Sequence, residues 1–255
     1  MLVDTHCHLT YEIDPVAGID AVIARAAAAG VGVIICPTAD PGDIGAAIKL
    51  AETHDNIFAT IGIHPEHAGL TPADFITDAV LSHPRVIGVG EIGLDYHEMA
   101  SDTHAAQIEL FRVQLEMARR HGLPVAIHTR DAESDTASVL QDYKDVRGVM
   151  HCFTSGYDLA RKMLDHGFYF SASGILTFKN AAEIRETFAK IPLDRLVVET
   201  DSPYCAPVPH RGHVCEPAFV VETARVLSEI KKVPFEKLSD IMMENVKQLY
   251  PKIKI

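Results

Sequence analysis

The sequence predicts a (β/α)8 TIM barrel, an α/β fold forming one domain across residues 1–255, and three observations lead there. Short apolar, β-branched runs recur eight times along the chain. Their ends stand roughly 20 to 37 residues apart, and each gap holds one amphipathic stretch. No Gly-rich first turn, linker or low-complexity segment favours an open doubly wound sheet or a division of the chain. Strand then helix, eight times in about 250 residues, is the arithmetic of a closed parallel barrel.

The predicted strands cover Leu2–Thr5, Gly32–Cys36, Phe58–Ile63, Val86–Glu91, Pro124–His128, Gly148–Cys152, Phe168–Ala172 and Leu196–Thr200. Helical periods are clearest at Ile19–Ala29, His104–His121 and Ala181–Lys190. Two further helices follow the last strand, at Pro217–Ile230 and Phe235–Tyr250. Pro217 behind Glu216 suits a first helical turn, where the missing proline N–H costs nothing.

Composition narrows the function classes. The chain carries 35 acidic against 23 basic side chains, a net charge of -12, which opposes long-range attraction to nucleic acid but leaves room for a locally cationic pocket. Hydrophobic residues at 47% and charged residues at 23% describe a globular chain, not a disordered or fibrous one. No apolar run approaches the about 18 residues of a membrane span, and no basic-then-apolar leader opens the chain. A cytoplasmic protein without membrane contact, monomeric, is expected. The 5 cysteines form no C-x-x-C pair and suit free thiols in a reducing compartment.

Chemistry concentrates at the strand ends. His6 and His8, two apart on an extended segment, point the same way while Cys7 faces away. Glu91 closes the fourth apolar run, His128 the fifth and His151 the sixth, and Asp201 follows the eighth. Burying one such group unpaired costs on the order of a few kcal/mol, so several together require mutual pairing or an ion. In a barrel the C-terminal strand ends meet at one mouth. Four His and two carboxylates exceed one tetrahedral site that keeps a position open for water, so two divalent ions (Mg, Mn or Zn) are expected. Paired ions about 3.5–4 Å apart are the usual arrangement for phosphoester hydrolysis. Set against only Glu91 and Asp201, they would make the pocket cationic.

Other residues take supporting roles in this reading. Asp4 and Glu199 precede His6 and Asp201 by two, so alternation places them one layer deeper, where a carboxylate accepts an imidazole N–H. His64 ends the third strand and is expected to bind a phosphate oxygen or act as an acid. Arg130 and Arg211, in loops at the same face, suit bidentate phosphate contact. Gly88-Val-Gly-Glu-Ile-Gly93 matches a dinucleotide fingerprint, but no helix opens within it; its glycines are expected to leave room beside the ions. No phosphate-binding P-loop, H-E-x-x-H or G-x-S-x-G is present, nor a basic stripe with interleaved aromatics.

Six blocks carry a resemblance. Asp4-Thr-His-Cys-His-Leu, Gly62-Ile-His-Pro, Gly90-Glu-Ile-Gly-Leu-Asp-Tyr, Ile127-His-Thr-Arg-Asp-Ala, His151-Cys-Phe and Glu199-Thr-Asp-Ser-Pro-Tyr resemble, in order, the TatD family of metal-dependent deoxyribonucleases. The resemblance runs over essentially the whole chain. It implies a (β/α)8 metallo-hydrolase barrel, typically cytoplasmic. It also implies that His6, His8, Glu91 and Asp201 hold one ion while Glu91, His128 and His151 hold another, with His64 and Arg211 near the scissile phosphate. One loop departs: the family usually reads His-Arg-Gly-Lys-Arg-Asn-Glu-Pro, whereas this chain has His210-Arg-Gly-His-Val-Cys-Glu-Pro217. Two cations and an amide are lost there.

The expected activity is therefore hydrolysis of DNA phosphodiester bonds at single-stranded ends, a 3′-5′ exonuclease with DNA as its partner. Glu91 and Asp201 are the candidate catalytic carboxylates, Asp201 as ligand and base toward the attacking water, with His64 beside the leaving oxygen. One alternative keeps the binuclear barrel and changes the bond to a small-molecule amide or ester; another is a metal-binding scaffold that has lost activity, which the intact ligand set opposes.

Overall fold

The computed structural model describes residues 1–254 except 71, 73, 74 and 98. Eight strands alternate with helices in one sheet of order β1 to β8, every neighbouring pair parallel. They are β1 Leu2–Asp4, β2 Val31–Pro37, β3 Ile57–Thr60, β4 Val86–Asp95, β5 Val125–Arg130, β6 Gly148–Met150, β7 Tyr169–Ala172 and β8 Leu196–Val198. The helices between and after them are α1 Gly18–Ala28, α2 Ile44–Thr53, α3 Asp78–Leu81, α4 His104–His121, α5 Glu133–Leu140, α6 Tyr157–Asp165, α7 Ala182–Lys190, α8 Val220–Lys231 and α9 Phe235–Leu249. Pro217 opens a 3-10 turn, Pro217–Phe219, behind Glu216 and ahead of α8. No helix among the described residues is long and apolar enough to cross a membrane.

Closure is made by the segments beyond β8 and β1. The Thr5 N–H donates to the Val198 carbonyl at 3.1 Å, Asp201 N–H to His6 O at 2.9 Å and His8 N–H to Ser202 O at 2.9 Å. An isolated parallel bridge joins Cys7 and Ser202. The buried Asp4 carboxylate straddles this seam, accepting from the Thr200 N–H at 2.9 Å and its hydroxyl at 2.5 Å. Burial pushes the Asp4 carboxyl well above its ordinary range.

Two apolar clusters divide the interior. Alternate strand residues such as Ile34, Ile57 and Ile127 pack against the helices. The others, including Val3, Ile35, Phe58, Ile87 and Val197, fill one end of the barrel together with Val246, Leu249 and Tyr250 of the α9 segment. Tyr250 is fully buried there. With one end filled by hydrocarbon, polar side chains gather at the other.

Several strand limits differ from the sequence expectation, and the differences matter for the site. β4 does not stop at Glu91 but runs on to Asp95. Its register against β5 breaks between Val89 and Ile92, and there the Gly90 and Glu91 amides donate to Ile61 O and Thr38 O instead. Such a break re-aims a side chain without ending the strand. β6 and β8 stop at Met150 and Val198, so His151 and Asp201 stand past the regular pairing. Arg130 is the last residue of β5 and not part of a loop. The glycines of the rejected fingerprint do not make space for ions either: a Cβ on Gly90 would meet Ala126, and one on Gly93 the His128 backbone. They let neighbouring strands approach closely.

Candidate metal centre

The first two ligand-type residues extend β1. His6 and His8 Nε2 stand 3.3 Å apart, both rings buried. Glu91 Oε2 lies 3.4 Å from His6 Nε2 and 3.5 Å from His8 Nε2, and Asp201 Oδ1 lies 4.0 and 3.7 Å from the same two atoms. His6, His8 and Asp201 thus form one metal-competent group, one donor atom from each lying within 4.8 Å of the others, with Glu91 Oε2 beside both imidazoles. Burial and the neighbouring His151 hold the His6 imidazole below its ordinary pKa, so the ring is neutral, the form that ligates.

The other Glu91 oxygen serves a second group. Glu91 Oε1 lies 2.9 Å from His128 Nδ1 and 2.8 Å from His151 Nε2. These are hydrogen-bond lengths, and with them Glu91, His128 and His151 form a second metal-competent group. Burial opposes the charge on both partners. Even so, Glu91 and Glu199 raise His151 well above its ordinary pKa, and the facing imidazoles hold Glu91 well below its own. The pocket therefore selects positive charge at that point. The donor set fits a divalent ion in each half, and the two halves share one carboxylate.

Supporting groups fix these rings from behind. Glu199 Oε1 accepts from His151 Nδ1 at 3.0 Å and from the Cys152 N–H at 2.6 Å. Asp4, placed in the same role by alternation, reaches no imidazole and instead holds the seam. Asp95, which sequence reasoning missed, lies 3.0 Å from His128 Nε2. Its signal was spacing: once β4 is extended, residues 91, 93 and 95 share a face. Two buried glutamines of α4 were missed as well. Gln107 exchanges two hydrogen bonds with the Asp95 backbone, at 2.9 Å each, and Gln114 exchanges two with Ile63, at 2.7 and 3.0 Å. They pin the backbone that carries Asp95 and His64. Asp95→Asn should weaken metal affinity about 10–100-fold, read as metal content after dialysis against graded chelator. Unchanged retention would remove Asp95 from this role.

His64 faces the mouth, its Nε2 3.8 Å from Glu91 Oε1 and its ring edge-on to His128 at 4.7 Å. Its Nδ1 accepts the Glu66 N–H at 3.3 Å, so the proton rides on Nε2. Burial drives its pKa down to about 4. It is thus a neutral N–H donor at pH 7 rather than a stored acid.

The two arginines take different positions. Arg130 is exposed at the top of β5. The Arg211 guanidinium donates to Ala206 O at 3.0 Å and lies 3.9 Å over the Phe178 ring. Aromatics converge: Tyr11 stacks on His8 at 4.9 Å, with Tyr204 edge-on to both at 6.4 Å. Tyr204 is 55% exposed. The cationic excess expected at the mouth also changes, because Asp95 and Glu199 join Glu91 and Asp201. Four carboxylates would balance two divalent ions.

An eight-stranded barrel with imidazoles and carboxylates gathered around its C-terminal mouth defines a metal-dependent hydrolase. Sequence comparison agrees. The metal-dependent hydrolase YabD of Bacillus subtilis (strain 168), itself uncharacterized, is 40% identical over 257 residues, covering 98% of this chain and 99% of the relative. YcfH of Escherichia coli (strain K12), described in the same words, is 40% identical over 98% of this chain and 95% of its own. The chain belongs to the TatD-related DNase family, whose model matches residues 3–251. The crystal structure of YJJV, a TatD homolog from E. coli K12, superposes with a TM-score of 0.85 at 28% identity over 98% of both chains. An organophosphorus hydrolase from Deinococcus radiodurans shares the fold, with a TM-score of 0.60 at 14% identity over 98% of this chain and 92% of that one.

Proposed function

We propose that the protein is a deoxyribonuclease that hydrolyses phosphodiester bonds at single-stranded DNA ends, using two divalent ions held by His6, His8, Glu91, Asp201, His128 and His151. One observation carries this reading: Glu91 Oε2 stands beside the imidazoles of His6 and His8, and Oε1 beside those of His128 and His151. Divalent ions held there would supply Lewis acidity and lower the pKa of a bound water. The side chains do the rest. Asp201 Oδ1 faces His6 and His8 and is placed to orient the nucleophile and accept its proton. His64, neutral and carrying its hydrogen on Nε2, donates to a non-bridging oxygen of the phosphate and leaves protonation of the departing oxygen to solvent. Tyr204, exposed beside Tyr11, offers a ring on which an unpaired base can stack.

The second reading, hydrolysis of a small amide or ester on the same centre, is favoured by the balanced charge of the pocket and by the two cations missing from loop 210–217. Hydrolysis of a 3′-labelled single-stranded oligonucleotide separates the two. Stripped protein would be assayed with Mg, Mn or Zn restored, beside His128→Ala. Metal-dependent release of label that vanishes in the variant supports the nuclease. No release by metal-loaded wild type, with turnover of an ester or lactone, transfers the centre to small molecules.

Two further outcomes are expected. Tyr204→Ala should raise KM for the oligonucleotide about 5- to 150-fold, the equivalent of one lost base stack of about 1–3 kcal/mol, while leaving a small ester substrate unaffected. Metal loading should also release protons. His151 is held above its ordinary pKa and must lose its proton to ligate, so affinity falls as pH drops through that raised value. Isothermal titration in buffers of different ionisation enthalpy counts the protons; a count of zero at pH 6 contradicts the assignment.

A further inference from the structure

Cys152, Cys205 and Asp201 form another metal-competent group, with one donor atom from each lying within 4.8 Å of the others. Cys152 follows His151 past β6, and Cys205 lies in the loop beyond β8, four residues after Asp201. All three have left-handed backbone, with φ of 40°, 59° and 55° in chain order. The Cys205 thiol donates to Asp201 Oδ2 at 3.5 Å, and the Cys152 thiol to Ser173 Oγ at 3.1 Å. The Asp201 carboxylate is therefore divided, Oδ1 toward the His6–His8 pair and Oδ2 toward the thiols. Cys7, Cys36 and Cys215 are buried and contribute nothing here, whereas Cys152 and Cys205 are partly exposed.

Donor chemistry decides which ion this group prefers. Two sulfurs and one carboxylate oxygen are soft to borderline ligands, suited to zinc or cadmium and unsuited to magnesium. Three protein ligands and one water complete a four-coordinate ion. Two thiolates cancel the charge of the incoming ion, so its approach to the neighbouring centre carries little repulsion. We propose that Cys152, Cys205 and Asp201 bind a thiophilic divalent ion of the zinc class, and that its occupancy inhibits hydrolysis by drawing Asp201 away from His6 and His8. On binding, both thiols give their protons to solvent and no electrons are exchanged. The inhibitory half rests on the role of Asp201 proposed above; the binding half does not.

Cadmium is the probe, because its thiolate complexes absorb in the ultraviolet and imidazole and carboxylate ligands add no such band. Reduced, stripped protein reloaded with Mg would be titrated with Cd while absorbance is followed. Wild type should develop a charge-transfer band saturating at one equivalent, and the same equivalent should protect two thiols from Ellman's reagent. Cys205→Ser and Cys152→Ser should each lose the band, and Cys215→Ser should keep it. If Cys152→Ser fails to fold, Cys205→Ser, altered only in a loop, carries the same comparison. A wild-type protein with reduced thiols and no band, or a band that survives in Cys205→Ser, overturns the site. With the site filled, zinc should suppress Mg-supported hydrolysis at least 10-fold in wild type and not in Cys205→Ser. A full band without that difference overturns the coupling to Asp201 and leaves the binding site standing; absence of hydrolysis under every condition bears on the nuclease reading alone.

Discussion

Glu91→Gln is expected to abolish metal-dependent turnover, by about a thousandfold or more, while the barrel stays folded. The carboxylate stands within 3.5 Å of the Nε2 atoms of His6 and His8 through one oxygen and within 2.9 Å of His128 and His151 through the other. An amide keeps the shape and removes the charge, and its NH2 end is a donor where both halves require an acceptor. Metal content should drop together with rate, and circular dichroism should stay unchanged. Turnover within tenfold of wild type at full metal content would contradict a shared ligand. His128→Ala is the companion: it strips one half and leaves the His6–His8 half intact, so the two variants should differ in metal stoichiometry.

The second large effect is on stability. Gly93 lies in β4 at φ 140°, paired in register with His128, and a Cβ there would overlap the His128 carbonyl oxygen. Gly93→Ala should cost about 3 kcal/mol, combining backbone strain with displacement of β5, and lower Tm by about 6–12 °C. Gly122, at the end of α4, has φ 61° and open space around it. Gly122→Ala isolates the backbone contribution and should cost about 1 kcal/mol. Equal losses in the two variants would mean that crowding against His128 contributes nothing. The expected damage at Gly93 extends to the site, since His128 moves with β5.

Much of the architecture is legible in the chain because a parallel barrel strand is buried on both faces and reads as a continuous apolar run. The ligand-type residues stand out for the same reason: Glu91, His128 and His151 interrupt or end runs where a polar group is costly. What escapes is whatever looks ordinary locally. Gln107 and Gln114 lie on a helix, where glutamine normally faces water, and only the packed structure shows them clamping Asp95 and Ile63. Asp95 escapes because the run before it seems complete at Glu91, although the strand continues. Arg211 reads from the sequence as a free loop cation, while here it is engaged by Phe178 and Ala206. The aromatic pair at the mouth comes from residues 11 and 204, too far apart in sequence for any local pattern to join them.

The seam between β1 and β8 gives the two halves of the centre different histories. Glu91, His128 and His151 come from three consecutive strands in the middle of the chain, whereas His6 and His8 wait for Asp201 from beyond the last strand. A chain leaving the ribosome from its N-terminus has all three residues of the first group before Asp201 exists, and it completes the second group only when its ends meet. Biosynthesis thus sets an order on the assembly of the centre, and the ligand group beside the seam is the one whose completion marks a finished barrel.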